Sequence, residues 1–312
     1  MRLFAEFLMS SRTRAVMGVS GFGVLSLAFP PVALLASAGL ALVTLRKGLR
    51  AGFDVLLYAA LACGLLGFLV VSNGFAVSGY LLLQWIPVLL VAFWLRTSGS
   101  LARSLLLAMG FGVAVILFHL VWFSEPTAQW REVLQPVEEQ ILQAQLLDAE
   151  GTEQLMNVMA QWMTGGLAAG YFLQTLFALL LGRWWQAMLY NPGGFRQEFH
   201  QLRLPKRAAA VGMAVIIATL LMPGDSVGAL DYLALLVLFG GFIQGLALVH
   251  GAAGIRALHS GWLVSMYLLM VIAPAQIITL LAAAGLADVW LDFRGRLAAV
   301  TPPSDSDRPP HD

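Results

Sequence analysis

Few side chains in this sequence are of types that do acid–base, nucleophilic or metal chemistry, and their placement argues against most such reactions. The ionisable residues of the apolar runs, Asp54, His119, Asp231 and His250, fall near the ends of those runs, where water reaches them. A proton pump or a voltage sensor needs charge buried at mid-depth, and no run carries a charge at its centre. No acid, base and nucleophile converge by spacing, no Cys/His cluster has metal-ligand spacing, and neither GxxxxGK[ST] nor GxSxG occurs. Neither an enzyme nor a resident cofactor or metal is expected, and ATP-driven work would need another chain.

The polar residues that do lie deep in apolar sequence are neutral: Gln84, Gln161, Gln174, Gln244, Gln276 and Asn73. An amide in lipid costs free energy unless it finds a partner, so each must face protein or a cavity. Two readings stand side by side. The amides tie helices together, as the position of Gln244 inside the Gly241–Gly245 spacing suggests. Alternatively, with His119, they line a cavity for an uncharged or zwitterionic small molecule.

A second group of candidates lies between two apolar runs, in Arg183–Arg207. Arg183, Trp184 and Trp185 lead into an Asn191-Pro192-Gly193-Gly194 turn, which stops a helix because proline lacks the N–H and glycine accepts positive φ. Phe195, Phe199 and Leu202 then recur at i, i+4, i+7, with Arg196, Glu198, His200 and Arg203 on the other faces. That pattern predicts a short amphipathic helix over Phe195–Leu204 in the headgroup region, rings down and charges up. It is read either as an aromatic and basic anchor or as a surface, Arg183, Trp184, Trp185, Asn191, Phe195, Arg196, Phe199 and Arg203, that docks a cytoplasmic partner or an anionic ligand.

The elements that position these residues follow from composition. Of 312 residues 59% are hydrophobic and only 11% charged, well below the quarter or so of a soluble surface-bearing domain. Repeated apolar runs predict an all-α polytopic integral membrane protein with about eight to ten transmembrane helices in one domain, 1–300. The first run enters Pro30-Pro31 and a further apolar stretch rather than a cleavage site, so no signal peptide is expected. Ala15–Phe29 with Pro31–Leu45, and Leu258–Trp290 broken at Pro274, are each too long for one span and read as hairpins of two short ones. Lysines and arginines at Arg46–Arg50, Arg96–Arg103, Arg183–Arg207 and Arg256 mark the inner side, with both termini. The acidic segment 124–153, with Trp130, Leu134, Val137, Ile141 and Ala144 at helical spacing, reads as a periplasmic amphipathic helix. The Gly166–Gly170 and Gly241–Gly245 pairs predict tight helix crossings, and Ala33, Ser37 and Ala41 a small-residue packing face. The tail 301–312, polar and proline-rich, reads as disordered. The net charge of +1 has no basic patch behind it beyond the loops, so no nucleic-acid partner is expected. The lone Cys63 cannot form a disulfide within the chain.

Three runs carry a resemblance: GRWWQAMLYNPGGFRQEFHQLRL (Gly182–Leu204), ALVTLRKGLRAG (Ala41–Gly52) and LADVWLDFRGR (Leu286–Arg296). Together they look like the YybS-like family of bacterial predicted inner-membrane proteins, a domain of unknown function grouped distantly with the substrate-binding S components of energy-coupling-factor vitamin transporters. The resemblance implies a multi-pass location in the bacterial inner membrane, a compact helical core and a substrate-binding or transport role beside another membrane subunit. The competing expectation is a non-transport scaffold or assembly partner that docks a cytoplasmic protein through 183–207.

Overall fold

The computed structural model describes residues 1–222, 224, 226–259 and 261–300 of the chain; the tail expected to be disordered lies outside them. Among the described residues every regular element is helical. In order they are α1 (Arg2–Ser10), α2 (Arg12–Ala28), a 3-10 turn at Pro30–Val32, α3 (Ala33–Lys47), α4 (Leu49–Val71), α5 (Gly74–Ser98), α6 (Leu101–Trp122) and α7 (Pro126–Gln143). There follow α8 (Ala149–Tyr190), α9 (Gly194–His200), α10 (Lys206–Leu221), α11 (Ala229–Ile255), α12 (Gly261–Ile272), α13 (Pro274–Leu291) and α14 (Phe293–Val300). Six of them, α4, α5, α6, α8, α11 and α13, are long and apolar enough to cross a membrane, which makes this an all-α, multi-pass membrane protein. Helices α2, α3, α10 and α12 are shorter, at 17, 15, 16 and 12 residues. By contacts the chain divides into two compact units, Met1–Phe195 with Val215–Leu236, and Arg196–Ala214 with the chain from Val237 on.

In the first unit α3 is the hub. It packs on α2, α4, α5 and α8, and eleven of its fifteen residues are buried. Its sequence, ALLASAGLALVTLRK, explains how: alanine, serine and glycine let neighbouring backbones approach closely, and the leucines between them fill the space that remains. Ala33, Ser37 and Ala41 are all buried, so that face packs internally. Gly182 of α8 meets it, since a Cβ there would sit 2.7 Å from the Ala41 methyl and 2.8 Å from the Ala38 carbonyl. Gly48, at φ 95°, ends α3 in the left-handed region that glycine adopts at little cost. The carbonyls of Leu45 and Arg46 accept hydrogen bonds from Arg96 Nη1 at 2.5 and 2.7 Å, a cation placed at the negative end of the helix dipole. Lys47 Nζ reaches back to the Met9 carbonyl (3.4 Å), so the end of α3 lies beside the start of α2 and the Pro30-Pro31 break is a hairpin. Arg12 pairs with Asp54 (3.4 Å) and Arg46 lies 4.1 Å over the Tyr190 ring, so the basic residues gather at this end of the unit.

The acidic segment is helical as its periodicity predicts, with one difference. The next helix starts at Ala149, inside the 124–153 segment, capped by Asp148, whose carboxylate accepts from the Gly151 N–H at 2.9 Å. Helix α8 has 42 residues, about 63 Å of rise, roughly twice a hydrocarbon core. Its first half pairs with α7: Trp130, Leu134 and Ile141 pack on Met156, Ala160 and Met163, and Trp130 Nε1 donates to Thr164 Oγ1 at 2.9 Å. Val137 is 41% exposed and lies off that stripe.

The tight crossing expected at Gly166–Gly170 is not there. Both glycines are exposed, and a Cβ on either would meet nothing within 4 Å. The close approach uses Gly165, whose Cβ would fall 2.8 Å from the Tyr232 ring, with the Tyr232 hydroxyl bonded to the Gln161 carbonyl at 2.9 Å. Four-residue spacing names a stripe on a helix without saying which way it faces, and one residue turns the stripe by about 100°.

In the second unit α11 and α13 do cross on glycines. A Cβ at Gly245 would fall on the Leu281 carbonyl, one at Gly241 would lie 3.0 Å from the Ala282 carbonyl, and one at Gly285 would fall on the Gly241 carbonyl. Pro274 starts α13 at a position where its missing N–H is not needed. Trp262, at the start of α12, and Phe293, just past the end of α13, line one groove with the last turns of α11. The chain therefore reverses at Ala273, because 262 and 293 on one continuous helix would be about 46 Å apart. The C-terminal apolar stretch is a hairpin, as its length predicts.

Candidate functional site

The expected docking stretch folds differently from its periodicity. Arg183, Trp184 and Trp185 belong to the last turns of α8. Trp185 is fully buried against Ala5, Leu8, Ala38 and Leu42, with Phe4 edge-on at 5.4 Å, so it is core rather than a lipid or partner surface. Trp184 is exposed, and Arg183 donates to Gln186 Oε1 at 3.0 Å. Asn191 ends α8 and is exposed. Phe195 is half-buried, and Phe199 packs edge-on to His250 at 5.9 Å.

The amphipathic helix stops at His200 instead of Leu204. Side chains from elsewhere in the unit take the backbone groups that a further helical turn would use. The Leu204 N–H donates to Gln244 Oε1 at 2.7 Å. The His200 and Leu202 carbonyls accept from Arg294 at 2.6 and 2.9 Å. Leu202 and Leu204 are buried as a result. Gln244 also donates to the Gly285 carbonyl at 2.5 Å, so one buried amide holds the 202–204 segment to the α11–α13 crossing. Gln244→Leu keeps the volume but leaves a buried N–H and a buried carbonyl unpaired. It is expected to cost about 1–3 kcal/mol, read as a lower midpoint in thermal unfolding, with Gln244→Glu unable to restore the bond to Gly285.

Arg294 anchors a buried ionic cluster. Its guanidinium donates to Asp288 Oδ2 at 2.6 and 3.2 Å, and both side chains are buried. Arg203 joins from the other side, with Nε 3.5 Å from Asp288 and Nη2 2.5 Å from Asp292. Arg203 was expected to face headgroups or a partner; it is instead committed to two carboxylates, and its role is to hold the segment. Asp292 ends α13 at φ 47° and accepts from the Gly295 N–H at 3.1 Å, so one residue closes α13 and caps α14. The Arg203 hydrogen bond, then that from Gly295, keeps the Asp292 carboxyl below the ordinary range.

Above this cluster is a pocket of about 560 Å³ lined by Arg196, His200, Arg203, Arg294, Gln197, Gln201 and the glycine-bearing end of α11. Gly251 and Gly254 matter sterically. A Cβ at the first would lie 2.8 Å from the His200 carbonyl, and at the second 3.1 Å from His200 Nδ1. Asp288 and Asp292 offset Arg294 and Arg203. Arg196 is exposed and makes no ion pair among the described residues. Burial, then the charge of Arg196 and of the neighbouring His250 and Arg294, draws the His200 pKa below its usual value. The pocket is thus an electropositive recess with one uncommitted cation beside an imidazole whose pKa is lowered, by burial first and by that cation second. Comparison with family models, with curated proteins and with solved structures yields no match. What can be said about function rests on this geometry.

Of the side chains expected to line a cavity, Asn73, Gln84, His119, Gln161 and Gln174 lie in the first unit and Gln244 and Gln276 in the second, and Asn73 caps α5, its Oδ1 accepting from the Ala76 N–H at 3.1 Å. Gln174 donates to Gln84 Oε1 at 2.8 Å, tying α8 to α5. Gln244 is the clamp described above. His119 stacks on Trp130 at 5.2 Å. Gln161 is half-buried and offers its carbonyl to Tyr232, and Gln276 is exposed on the first turn of α13. Asp288, Asp292 and Arg294 were not singled out as site residues, although their run was. The signal was present in the carboxylates four apart with an arginine two beyond, but the partner segment lies 92 positions away for Arg294 and Leu202.

Proposed function

We propose that this protein is a membrane component that works from its cytoplasmic face, retaining an anionic, phosphate-bearing ligand or partner group in the recess of Arg196 and His200. The observation that carries this reading is the recess itself. It has the size of a small-molecule site, its wall is thinned by two glycines, and its one exposed arginine has no carboxylate. The lysine and arginine distribution supports the orientation, with α2, α3, α10 and α12 counted as short spans to give ten. Membership of the YybS-like family and residence in the bacterial inner membrane belong to the same proposal and rest on the three resembling runs. Two of those runs meet in this one ionic cluster, through Arg203 with Asp288 and Arg294 with Leu202. A transport role remains the second reading, favoured by the short proline-broken hairpins α2–α3 and α12–α13, the form in which many transporters build a site.

The test is calorimetric titration of the purified protein with pyrophosphate at low salt. Arg196→Gln is expected to weaken binding about tenfold, the loss of one charge-assisted contact, without moving the unfolding midpoint. Arg203→Gln is a poor probe because it breaks the cluster below. The pH dependence has a definite sign. A bound anion offsets the positive charges that add to burial in lowering the His200 pKa, so binding favours proton uptake and tightens as pH falls through the His200 range, while His200→Gln flattens that slope. Absent pyrophosphate binding, or equal binding by Arg196→Gln, would reject the reading.

A further inference from the structure

A second recess in the same unit differs from the first in chemistry. The groove that proves the α12–α13 hairpin has a volume of about 470 Å³. Its lining is mostly apolar, with Val249 and Ala252 on the last turns of α11, taken here as its floor, and with Trp262 and Phe293. Two arginines, Arg256 and Arg296, complete the lining. Both are exposed, and among the described residues neither makes an ion pair or a side-chain hydrogen bond. Two acids that could have neutralised the region, Asp288 and Asp292, are committed to Arg294 and Arg203.

Position sets the depth of this groove. Helices α11 and α13 are both long and apolar enough to span, and they end at Ile255 and Leu291. Arg256 and Arg296 follow those ends by one and five positions, so they lie where a spanning helix meets headgroups. The apolar floor lies one to two turns further in, at the level of acyl chains. An amphipathic cleft with cations at the headgroup end and an apolar floor below is complementary to one kind of molecule. A soluble anion would leave the floor wet, and a zwitterionic lipid would leave the arginines without a net partner.

We propose that Arg256 and Arg296, with the groove floored by Val249 and Ala252 and flanked by Trp262 and Phe293, form a specific site for one anionic phospholipid. The phosphate sits between the guanidiniums, and the first segment of one acyl chain lies against the floor. This site is separate from the recess of Arg196 and does not depend on the function proposed for it.

The exposed Trp262 provides the readout. Delipidated protein in mild detergent is titrated with phosphatidylglycerol or phosphatidylcholine brominated near the top of the acyl chain. The quenching lost in Trp262→Phe isolates the Trp262 signal. The expected result is saturable quenching by the glycerol lipid, preferred over the choline lipid by roughly thirtyfold for two juxtamembrane cations. Arg256→Gln with Arg296→Gln removes the preference, whereas Lys206→Gln with Arg207→Gln, exposed basic residues outside the groove, keeps it. Ala252→Phe fills the floor and removes the quenching with both arginines intact. Glycerol phosphate, a headgroup without chains, is expected not to compete. Equal quenching by the two lipids, a preference that survives the double arginine change, or full displacement by glycerol phosphate would each overturn the proposal.

Discussion

Arg294→Ala is expected to destabilise the second unit by about 3–5 kcal/mol, the cost of stripping one partner from a buried ion pair. The loss exceeds a single salt bridge because the same guanidinium serves Asp288 and the carbonyls of His200 and Leu202. Removing it leaves a buried carboxylate whose Oδ1 already has no hydrogen-bond partner. Thermal unfolding in detergent, read together with protease cleavage near Leu202, measures the effect. Asp288→Asn in the Arg294→Ala background should recover part of it, since the stranded charge is then gone. A midpoint unchanged from the parent protein in Arg294→Ala would mean that the cluster is solvated and the segment is held by Gln244 alone.

Leucine at Gly245 and leucine at Gly170 are expected to behave in opposite ways, although both glycines belong to the same four-residue motif. At Gly245 the new Cβ would fall on the Leu281 backbone, which cannot swing aside as a side chain can. The α11–α13 crossing must open, at a cost of about 3 kcal/mol or more, and folded yield should fall sharply. At Gly170 nothing lies within 4 Å, so the side chain enters lipid and the midpoint should stay level or rise slightly. Size-exclusion recovery and unfolding midpoints of the two variants, expressed side by side, decide the matter. Equal loss in both would show that Gly170 packs against something in the native membrane.

These cases mark how much of the molecule was legible in its sequence. Hydropathy sufficed for the all-α membrane class, and proline placement for both hairpins, because backbone satisfaction in lipid leaves few alternatives. The small-residue face of α3 was legible because eleven of the fifteen residues of that helix are buried, so whichever way the Ala33, Ser37 and Ala41 stripe turned it met protein. The face of the Gly166 stripe was not, since spacing is invariant to rotation of the helix. The helix over 195–204 was cut short by Gln244 and Arg294, partners remote in sequence that outcompete a local turn. Arg196 and Arg203 looked alike as residues seven apart on an amphipathic pattern. Only the fold separates the one that is free to bind from the one already neutralised.

The burial of α3 has a consequence for how the chain is made. Helix α3 ends at Lys47, yet its Ala38 and Ala41 surface is completed by Gly182 and Trp185 of α8, far later in the chain. A ribosome delivers Gly182 long after α2 and α3 have left the exit tunnel. During that interval the α2–α3 hairpin has α4 and α5 to lean on but a bare flank of alanine and glycine backbone. The final packing of the hub must therefore wait for the last turns of α8. Any chain released before Gly182 would leave Ala38 and Ala41 without their α8 neighbours.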